Sequence, residues 1–167
     1  MKFVFLYSSS HERVGSIFMR VKQVVWFLQK KGIDAEFFEK PNDYSNIRNA
    51  IIVFSKHLTN ENPEDIRKLQ KNNCKCLYDP VDAKVSIDYL NVFDAILCSS
   101  FRQLHVLSFQ NIRVIPFLHH HDPRLRPTAN PHSKNVGYFG ELANVNLNIL
   151  EEIGNMTEVV PINTKNA

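Results

Sequence analysis

Short apolar runs recur along the first 117 residues, separated by polar loops and helix-like stretches. Runs of this length that stay apolar throughout are typical of buried parallel strands. This alternation constrains the fold more than any other feature, because strands joined by helices form a parallel sheet. The runs are Lys2–Tyr7, Ile33–Phe38, Ala50–Phe54, Cys74–Tyr78, Ala95–Cys98 and Ile112–Pro116.

Three of the connections have helical character. Residues 16–31 carry apolar side chains at helical spacing, and residues 62–63 combine a capping Asn with a Pro at the first helical position. Ser100 and Gln103 form a capping-box pattern that opens another helix. Right-handed crossovers place such helices on both faces of a sheet. The sequence therefore predicts an α/β fold, a Rossmann-like doubly wound domain with a mostly parallel sheet, over residues 1–117.

Composition narrows the class of protein. A hydrophobic fraction of 44% and a charged fraction of 22% are those of a soluble globular domain, and no run approaches the ~18 apolar residues of a membrane span. The net charge of +3 comes from scattered basic residues, which does not favour nucleic acid as a partner. The three cysteines, Cys74, Cys76 and Cys98, all fall in apolar runs, so we expect free, buried thiols and a cytoplasmic protein.

The pattern changes after the sixth run. Residues 118–134 are rich in proline and histidine and show no periodicity, which predicts a linker. Strand character returns at Val136–Phe139, a helix-like face follows, and Val159–Val160 is predicted to be one more strand. We therefore expect residues 135–167 to be the incomplete start of a second Rossmann-like domain, or a closing βα unit packed on the first.

Four segments, in this order, resemble those of GT-B glycosyltransferases of the family-4 type. KFVFLY is followed by a polar loop with Gly15 and a long helix, and CLYDPVDA is similar to the Y-D-x-x-D segment that many such enzymes place after their fourth strand. RVIPFLHHHDPR is similar to a strand ending in Ile-Pro with a linker ending in Asp. NVGYFGELAN looks like the first strand and glycine turn of a donor-binding domain. The resemblance spans about residues 2–154 and depends on the order of the segments.

The resemblance implies a donor side and an acceptor side. Enzymes of this family pair two Rossmann-like domains across a cleft, the first binding the acceptor and the second the nucleotide sugar, without a metal or other cofactor. A glycine turn before a helix brings backbone N–H groups to the diphosphate. The implied donor-binding residues are Gly137, Gly140, Glu141 and Asn144. Because the second domain is incomplete, we expect this chain not to bind a sugar nucleotide tightly or to turn over alone.

The loop after the first strand is where the family contacts its acceptor. The resemblance assigns acceptor contacts to Ser9, Ser10, His11 and Gly15, and Arg102 is a further phosphate or acceptor contact. Loop polarity alone would produce the same residue types. The implied acceptor is a glycan or a lipid-linked sugar, with peripheral membrane contact through basic residues of the first domain.

Two carboxylates follow the fourth run at the rim where open parallel sheets bind ligands. Asp79 or Asp82 could deprotonate an acceptor hydroxyl if the enzyme inverts configuration. The alternative is that both cap the helix that follows, through bonds to backbone N–H groups. The spacing is D-x-x-D rather than a D-x-D metal motif.

The histidine cluster after the sixth run is the other candidate for chemistry. His120 is a candidate catalytic residue, and His119, His121 and Asp122 are predicted to line the interdomain cleft, where histidine can bond sugar hydroxyls or phosphate. Solvated linker histidines are the alternative. A metal site is not predicted, since zinc normally needs three or four protein ligands.

Three other classes compete with a glycosyltransferase. One is a stand-alone flavodoxin-like or receiver-like binding module, although a receiver should show acidic residues where this chain has Ser8–His11. Another is a dinucleotide-binding oxidoreductase, which needs G-x-G-x-x-G where only Gly15 is present. The third is a non-catalytic interaction domain in which Val136–Pro161 completes the first sheet.

Overall fold

The computed structural model describes residues 1–8, 15–41, 43–56, 62–81, 86–118, 136–139 and 159–162. The chain divides into two compact units, Met1–Arg124 and Leu125–Ala167. The first unit holds the sheet and helices that the apolar runs predict.

The first unit is built on a six-stranded sheet in the order β2-β1-β3-β4-β5-β6, and every neighbouring pair is parallel. This confirms the predicted α/β, Rossmann-like parallel sheet. The direction in which strands are added reverses at β1. From β1 the chain moves outward to β2 on one side, then returns to place β3 on the other side of β1. The strands are β1 (Lys2–Tyr7), β2 (Ala35–Glu39), β3 (Ala50–Ser55), β4 (Lys75–Asp79), β5 (Ala95–Cys98) and β6 (Val114–Pro116).

Three strands begin later than their apolar runs, β4 by one residue and β2 and β6 by two, and turn residues delay the pairing of the latter two. Gly32 adopts a φ of 72°, and the Ile33 N–H donates to the Leu28 carbonyl, so Ile33 closes the preceding helix instead of joining β2. Asn111 has a φ of 55° before β6. Ile112 is buried there without belonging to the strand.

A continuous helical stretch, here called helix 15–30, follows β1. It consists of α1 (Gly15–Ile17), a π-helical segment (Phe18–Lys22) and α2 (Gln23–Lys30). The sequence predicts this helix but not its π segment, in which the Gln23 N–H donates to the Phe18 carbonyl five residues back. Such π segments are frequent at functional sites.

Three shorter helices are capped by polar side chains. The caps of α3 and α5 confirm the predicted Asn62 and Ser100: the Asn62 side chain accepts from the Glu64 N–H and Ser100 from the Gln103 N–H. The N-cap of α4 is Ser86, whose side chain accepts from the Tyr89 N–H. The helices are α3 (Pro63–Lys71), α4 (Ile87–Leu90) and α5 (Phe101–Ser108).

Helices cover both faces of the sheet, as predicted. One face packs α3, α4 and α5 into an apolar cluster through Ile66, Leu69, Leu90 and Leu107. The other face packs helix 15–30 into a second cluster with the strands, and its buried members include Ile17, Val21, Val25, Phe5, Tyr7, Val53 and Leu97. Cys74 and Cys76 share the first cluster, and all three cysteines are free and buried, as expected.

The second unit contains a two-stranded parallel sheet of β7 (Val136–Phe139) and β8 (Val159–Ile162). Both strands fall where the sequence predicts them. The predicted linker lies outside the described residues beyond Leu118, so its boundaries stay a prediction.

Candidate functional site

The carboxyl edge of the six-stranded sheet brings together the residues that follow each strand. In open α/β sheets, ligands bind outside this edge where the strand order reverses. Here that point lies between β1, which ends at Tyr7, and β3, which ends at Ser55. The neighbouring β4 ends at Asp79, which lies opposite Ser55 in the parallel register. These strand ends define the candidate site.

Asp79 forms a buried, two-pronged ion pair with Arg20 of the π segment. Arg20 Nε donates to Asp79 Oδ2 at 2.6 Å and Nη2 donates to Oδ1 at 2.8 Å. Arg20 is 1% exposed and Asp79 is fully buried. Both carboxylate oxygens are therefore held by the guanidinium, in the fork geometry that arginine favours. These contacts favour a structural role for Asp79 and do not favour its predicted role as a base.

The same guanidinium also holds the chain beyond β6. Arg20 Nη1 donates to the Phe117 carbonyl at 2.8 Å, and the Phe117 ring lies 4.3 Å from the guanidinium carbon. Arg20 thus connects helix 15–30 with the carboxyl ends of β4 and β6. The edge of the sheet is consequently fixed by one charged side chain, each of whose three nitrogens donates a hydrogen bond.

Backbone strain is concentrated at this edge. Lys56 follows β3 with a φ of 37° and Val81 follows β4 with a φ of 57°. A positive φ is an outlier for a β-branched residue and costs on the order of 1–3 kcal/mol. Within the described ranges, the other three non-glycine residues with positive φ are asparagines, which tolerate it, and each precedes a strand: Asn49, Asn73 and Asn111. Strained backbone at residue types that rarely adopt a positive φ is common at functional sites.

Polar contacts from the start of α5 hold Val81 in place. Ser99 Oγ donates to the Val81 carbonyl at 3.0 Å, and the Ser99 N–H donates to Gln103 Oε1 at 2.7 Å. The Gln103 side chain therefore reaches Ser99 instead of returning to the Ser100 N–H as a full capping box would. The loop after β4 is thereby tied to the loop after β5.

A buried hydroxyl without a partner lies at the centre of the edge. Among the described residues Ser55 Oγ accepts or donates no hydrogen bond, although Ser55 is fully buried. Two residues earlier, Val53 packs with the helix 15–30 cluster, so the alternation of a strand places Ser55 on that same side. An unsatisfied buried hydroxyl costs about 1–3 kcal/mol, which makes Ser55 a candidate to donate to a ligand at this edge.

A shallow cavity of about 300 Å³ adjoins the edge between the end of β4 and the first turns of α5. Arg102, a predicted acceptor contact, lines it and is exposed. The other lining residues are Pro80, Leu90, Ser100, Gln103, Val106 and Leu107. A cation beside an apolar wall and the capped start of a helix can bind an anionic or hydroxyl-rich ligand.

A larger cavity of about 460 Å³ lies between α3 and residues 43–48. Three of its four charged lining residues have partners within the chain: Lys68 bonds Asp65 at 2.9 Å, and hydrogen bonds from Ser45 lower the pKa of Asp43. We place the functional site at the carboxyl edge instead, because the strain and the unpartnered Ser55 hydroxyl lie there.

Burial makes the titratable groups beside the site weak acids. Burial raises the pKa of the Cys98 thiol, and the Asp79 carboxylate adds to the effect. Burial likewise raises the pKa of Tyr78, whose hydroxyl has no partner among the described residues. Neither group is therefore ionised near neutral pH, and neither is a ready base or nucleophile.

Most of the predicted site residues lie outside the described residues. Gly15 is described as the first residue of α1, and Gly137 lies in β7. Within the described part of the chain no group of three or more His, Cys, Asp or Glu side chains could hold a metal ion. Those outside are Ser9, Ser10, His11, Asp82, His119, His120, His121, Asp122, Gly140, Glu141 and Asn144.

Sequence reasoning missed Arg20 and Ser55. Arg20 falls on the buried stripe of its helix, three residues after Ile17, where a charge must be paired. That position in the stripe was the available signal. Ser55 ends an apolar run without any feature that separates it from other loop serines.

Comparisons with known proteins do not supply a function. No model of a known protein family matches the chain. No curated protein shows significant sequence similarity to it either. Of the helices in the described ranges, none combines the length and the apolar character needed to cross a bilayer.

Proposed function

We propose that this chain is the acceptor-side portion of a GT-B-type glycosyltransferase, which transfers a sugar from a nucleotide sugar to a glycan or a lipid-linked acceptor. The observation that carries the proposal is the second unit. Its two strands pair in parallel, and parallel pairing requires a crossover of a dozen or more residues. A second βα-type unit after a complete parallel domain is what a two-domain enzyme of this kind requires.

The acceptor belongs, in this proposal, at the carboxyl edge of the first unit. The Ser55 hydroxyl, the Lys56 ammonium and the cavity beside Arg102 supply polar groups of the kind that bind sugar hydroxyls or a phosphate, and the strained backbone at Lys56 and Val81 lies at the same edge. The nucleotide sugar binds through the complete second domain, and the protein works in the cytoplasm with peripheral membrane contact.

In this reading Asp79 positions other groups and does not transfer protons. Its ion pair with Arg20 fixes the end of β4, from which the next loop carries Asp82. Asp82 and His120 remain the candidates for the proton-accepting group. Both lie outside the described residues.

NMR spectroscopy of the isotope-labelled chain tests the acceptor site. We expect short glycans, or a sugar linked to a short polyprenyl phosphate, to shift the amide signals of Ser55, Lys56, Val81 and Ser99. Arg102→Gln should weaken this binding about tenfold, the effect of losing a hydrogen bond to a charged group. Arg113→Gln is the matched control, since Arg113 is exposed and precedes β6 at the opposite edge.

Two outcomes would contradict the proposal. One is that none of these ligands shifts the signals of the carboxyl edge. The other is equal weakening by both arginine substitutions, which would indicate attraction to net charge without a site.

The strand order supports a second candidate function. The order 2-1-3-4-5 is that of flavodoxin-like domains, which bind a ligand between β1 and β3. A stand-alone binding or interaction module of that kind would use the same edge without catalysis. In the same NMR experiment, signal shifts at the edge with a free nucleotide but with no glycan would favour this candidate.

A further inference from the structure

The outward side of helix 15–30 is unusually aromatic for a surface. Trp26 is 53% exposed and Phe27 is 55% exposed, while Val21 and Val25 on the opposite side are buried. Phe37 of β2 is also exposed, and it lies on the same face of the sheet as the helix, because Ala35, two residues before it, packs in the helix 15–30 cluster.

Each of these aromatic rings has a lysine beside it. Lys30 Nζ is 3.8 Å from the Trp26 ring centre, Lys31 Nζ is 5.6 Å from that of Phe27, and Lys22 Nζ is 6.0 Å from that of Phe37. Two of these pairs follow the i,i+4 spacing of a helix surface. We call these six residues the aromatic–basic face.

The charged residues that the helix contributes to this face are all positive. No Asp or Glu occurs between Gly15 and Lys31. Of the acidic residues near the adjoining strand, Asp34 precedes β2, and Glu39 ends it on the same side of the sheet as Phe37. Glu36 is paired with Lys2 at 2.7 Å.

We propose that the aromatic–basic face binds the surface of a membrane that contains anionic lipid. Tryptophan and phenylalanine insert at the headgroup boundary, while lysines extend their ammonium groups to anionic headgroups. A protein partner fits less well, because lysine is depleted in protein–protein interfaces, whereas here each of the rings of Trp26, Phe27 and Phe37 has one beside it. This gives the peripheral membrane contact of the proposed function a location, and it depends on that function only for the choice of partner.

The single tryptophan of the chain reports on the proposal directly. Trp26 is the only tryptophan, so intrinsic fluorescence observes the face itself. The full chain is titrated with vesicles of phosphatidylcholine containing about one third phosphatidylserine, and with vesicles of phosphatidylcholine alone. We expect a blue shift with the anionic vesicles, a much weaker one with the neutral vesicles, and weaker binding as salt screens the charges.

Two pairs of variants test whether membrane binding depends on the aromatic–basic face itself or only on the overall charge and exposed apolar surface of the protein. Lys30→Gln with Lys31→Gln should weaken binding to anionic vesicles about 30-fold, from the usual contribution of each basic residue. Arg67→Gln with Lys71→Gln removes two exposed charges of α3 and should change binding little. Phe27→Ala should weaken binding about tenfold, because interfacial binding scales with inserted apolar area. Phe109→Ala removes an exposed ring of α5, 72% exposed, and is its control.

Several results would overturn the proposal. Unchanged Trp26 emission with anionic vesicles at low salt would do so, as a face made for a protein partner predicts. Equal weakening by the two charge-removing variants, or by the two phenylalanine variants, would place the membrane contact elsewhere. Circular dichroism confirms that each variant is folded. The measurement involves no sugar, so its failure is distinct from failure of the acceptor site.

Discussion

At the scale of single residues, Arg20 is the side chain on which the carboxyl edge depends. It is buried, and its three hydrogen bonds go to a carboxylate and a carbonyl that lie 59 and 97 residues away in the chain. A buried ion pair of this kind contributes more to the specificity of the fold than to its stability, because the cost of desolvating the two charges offsets the attraction between them.

Removing one partner of this pair should be far more damaging than removing both. Arg20→Met or Asp79→Asn leaves the other group buried without its partner, and each should lower the free energy of unfolding by about 3–5 kcal/mol. Arg20→Met with Asp79→Leu should recover much of that loss. Urea denaturation followed by circular dichroism measures the three values. Glu36→Gln, which breaks the exposed pair with Lys2, is the control and should cost about 1 kcal/mol or less. Additive losses in the double variant would contradict this account.

Asp94 links stability to pH at the opposite edge of the sheet. Burial alone would raise its pKa, but hydrogen bonds from the Cys76 N–H, Gln70 and Lys75 outweigh burial and lower it. Because the folded pKa lies below the unfolded value, the stabilisation is present above the pKa of an unfolded aspartate, about 3.9, and is lost as pH falls through the folded pKa.

Asp94→Asn should therefore destabilise the protein only where the carboxylate is ionised. We expect a loss of about 1 kcal/mol at pH 7, since the partly exposed position screens the charge and an amide oxygen keeps one hydrogen bond. The difference between wild type and variant should shrink toward pH 3 in urea titrations. A difference that is constant with pH would show that packing, not charge, is responsible.

At the scale of elements, two glycines at the ends of helix 15–30 have different physical roles. Gly32 has a φ of 72° and stops the helix, whereas Gly15 begins it, and a Cβ at either position would contact nothing within 4 Å. Only the backbone conformation therefore separates the two substitutions.

Gly32→Ala should lower the free energy of unfolding by about 1 kcal/mol, because alanine resists a positive φ. Gly15→Ala should raise it by about 0.5 kcal/mol, because alanine restricts the unfolded chain and favours the helix. Thermal unfolding of the two variants shows whether each substitution stabilises or destabilises the protein. If Gly15 also admits an acceptor to the edge, Gly15→Ala weakens glycan binding in the NMR titration without loss of stability. Destabilisation by Gly15→Ala would contradict the helical role.

The elements were largely predictable from sequence, whereas the site was not. Continuous apolar runs identify strands that are buried on both faces, and β1 and β5 have the predicted bounds. The start of β2 shifted because a local turn at Gly32 competes with strand pairing. The ion pair between Arg20 and Asp79 joins distant segments, and neither residue signals the other by spacing. The unpartnered Ser55 hydroxyl is a property of packing, which no local pattern records.

At the scale of the whole molecule, the reactivity of the three cysteines measures how the six-stranded sheet unfolds. Cys74 and Cys76 lie at β4 and Cys98 ends β5, and all three are buried. Burial raises the pKa of Cys76 to about 12, so its reactive thiolate is scarce in the folded protein. Labelling of these thiols therefore requires unfolding.

Iodoacetamide at pH 8 should label the folded protein slowly and all three cysteines at similar rates, because one cooperative opening exposes the sheet. In concentrated urea all three should react quickly. Mass spectrometry of the digested protein gives the rate at each position. Faster labelling of Cys98 than of Cys74 would instead show that β5 and β6 open locally while the rest of the sheet stays paired.

The order of the strands has a consequence for synthesis on the ribosome. After β2, the strand β3 joins β1 on the side that β2 leaves open, and each later strand, from β4 to β6, joins the strand made just before it. Arg20 leaves the ribosome long before Asp79 and Phe117, and a buried charge without its partners is costly. Helix 15–30 can therefore dock completely only after β4 and β6 have been made. The hydrogen bonds of the Arg20 guanidinium to Asp79 and Phe117 can all form only when β6, the last strand of the six-stranded sheet, is in place.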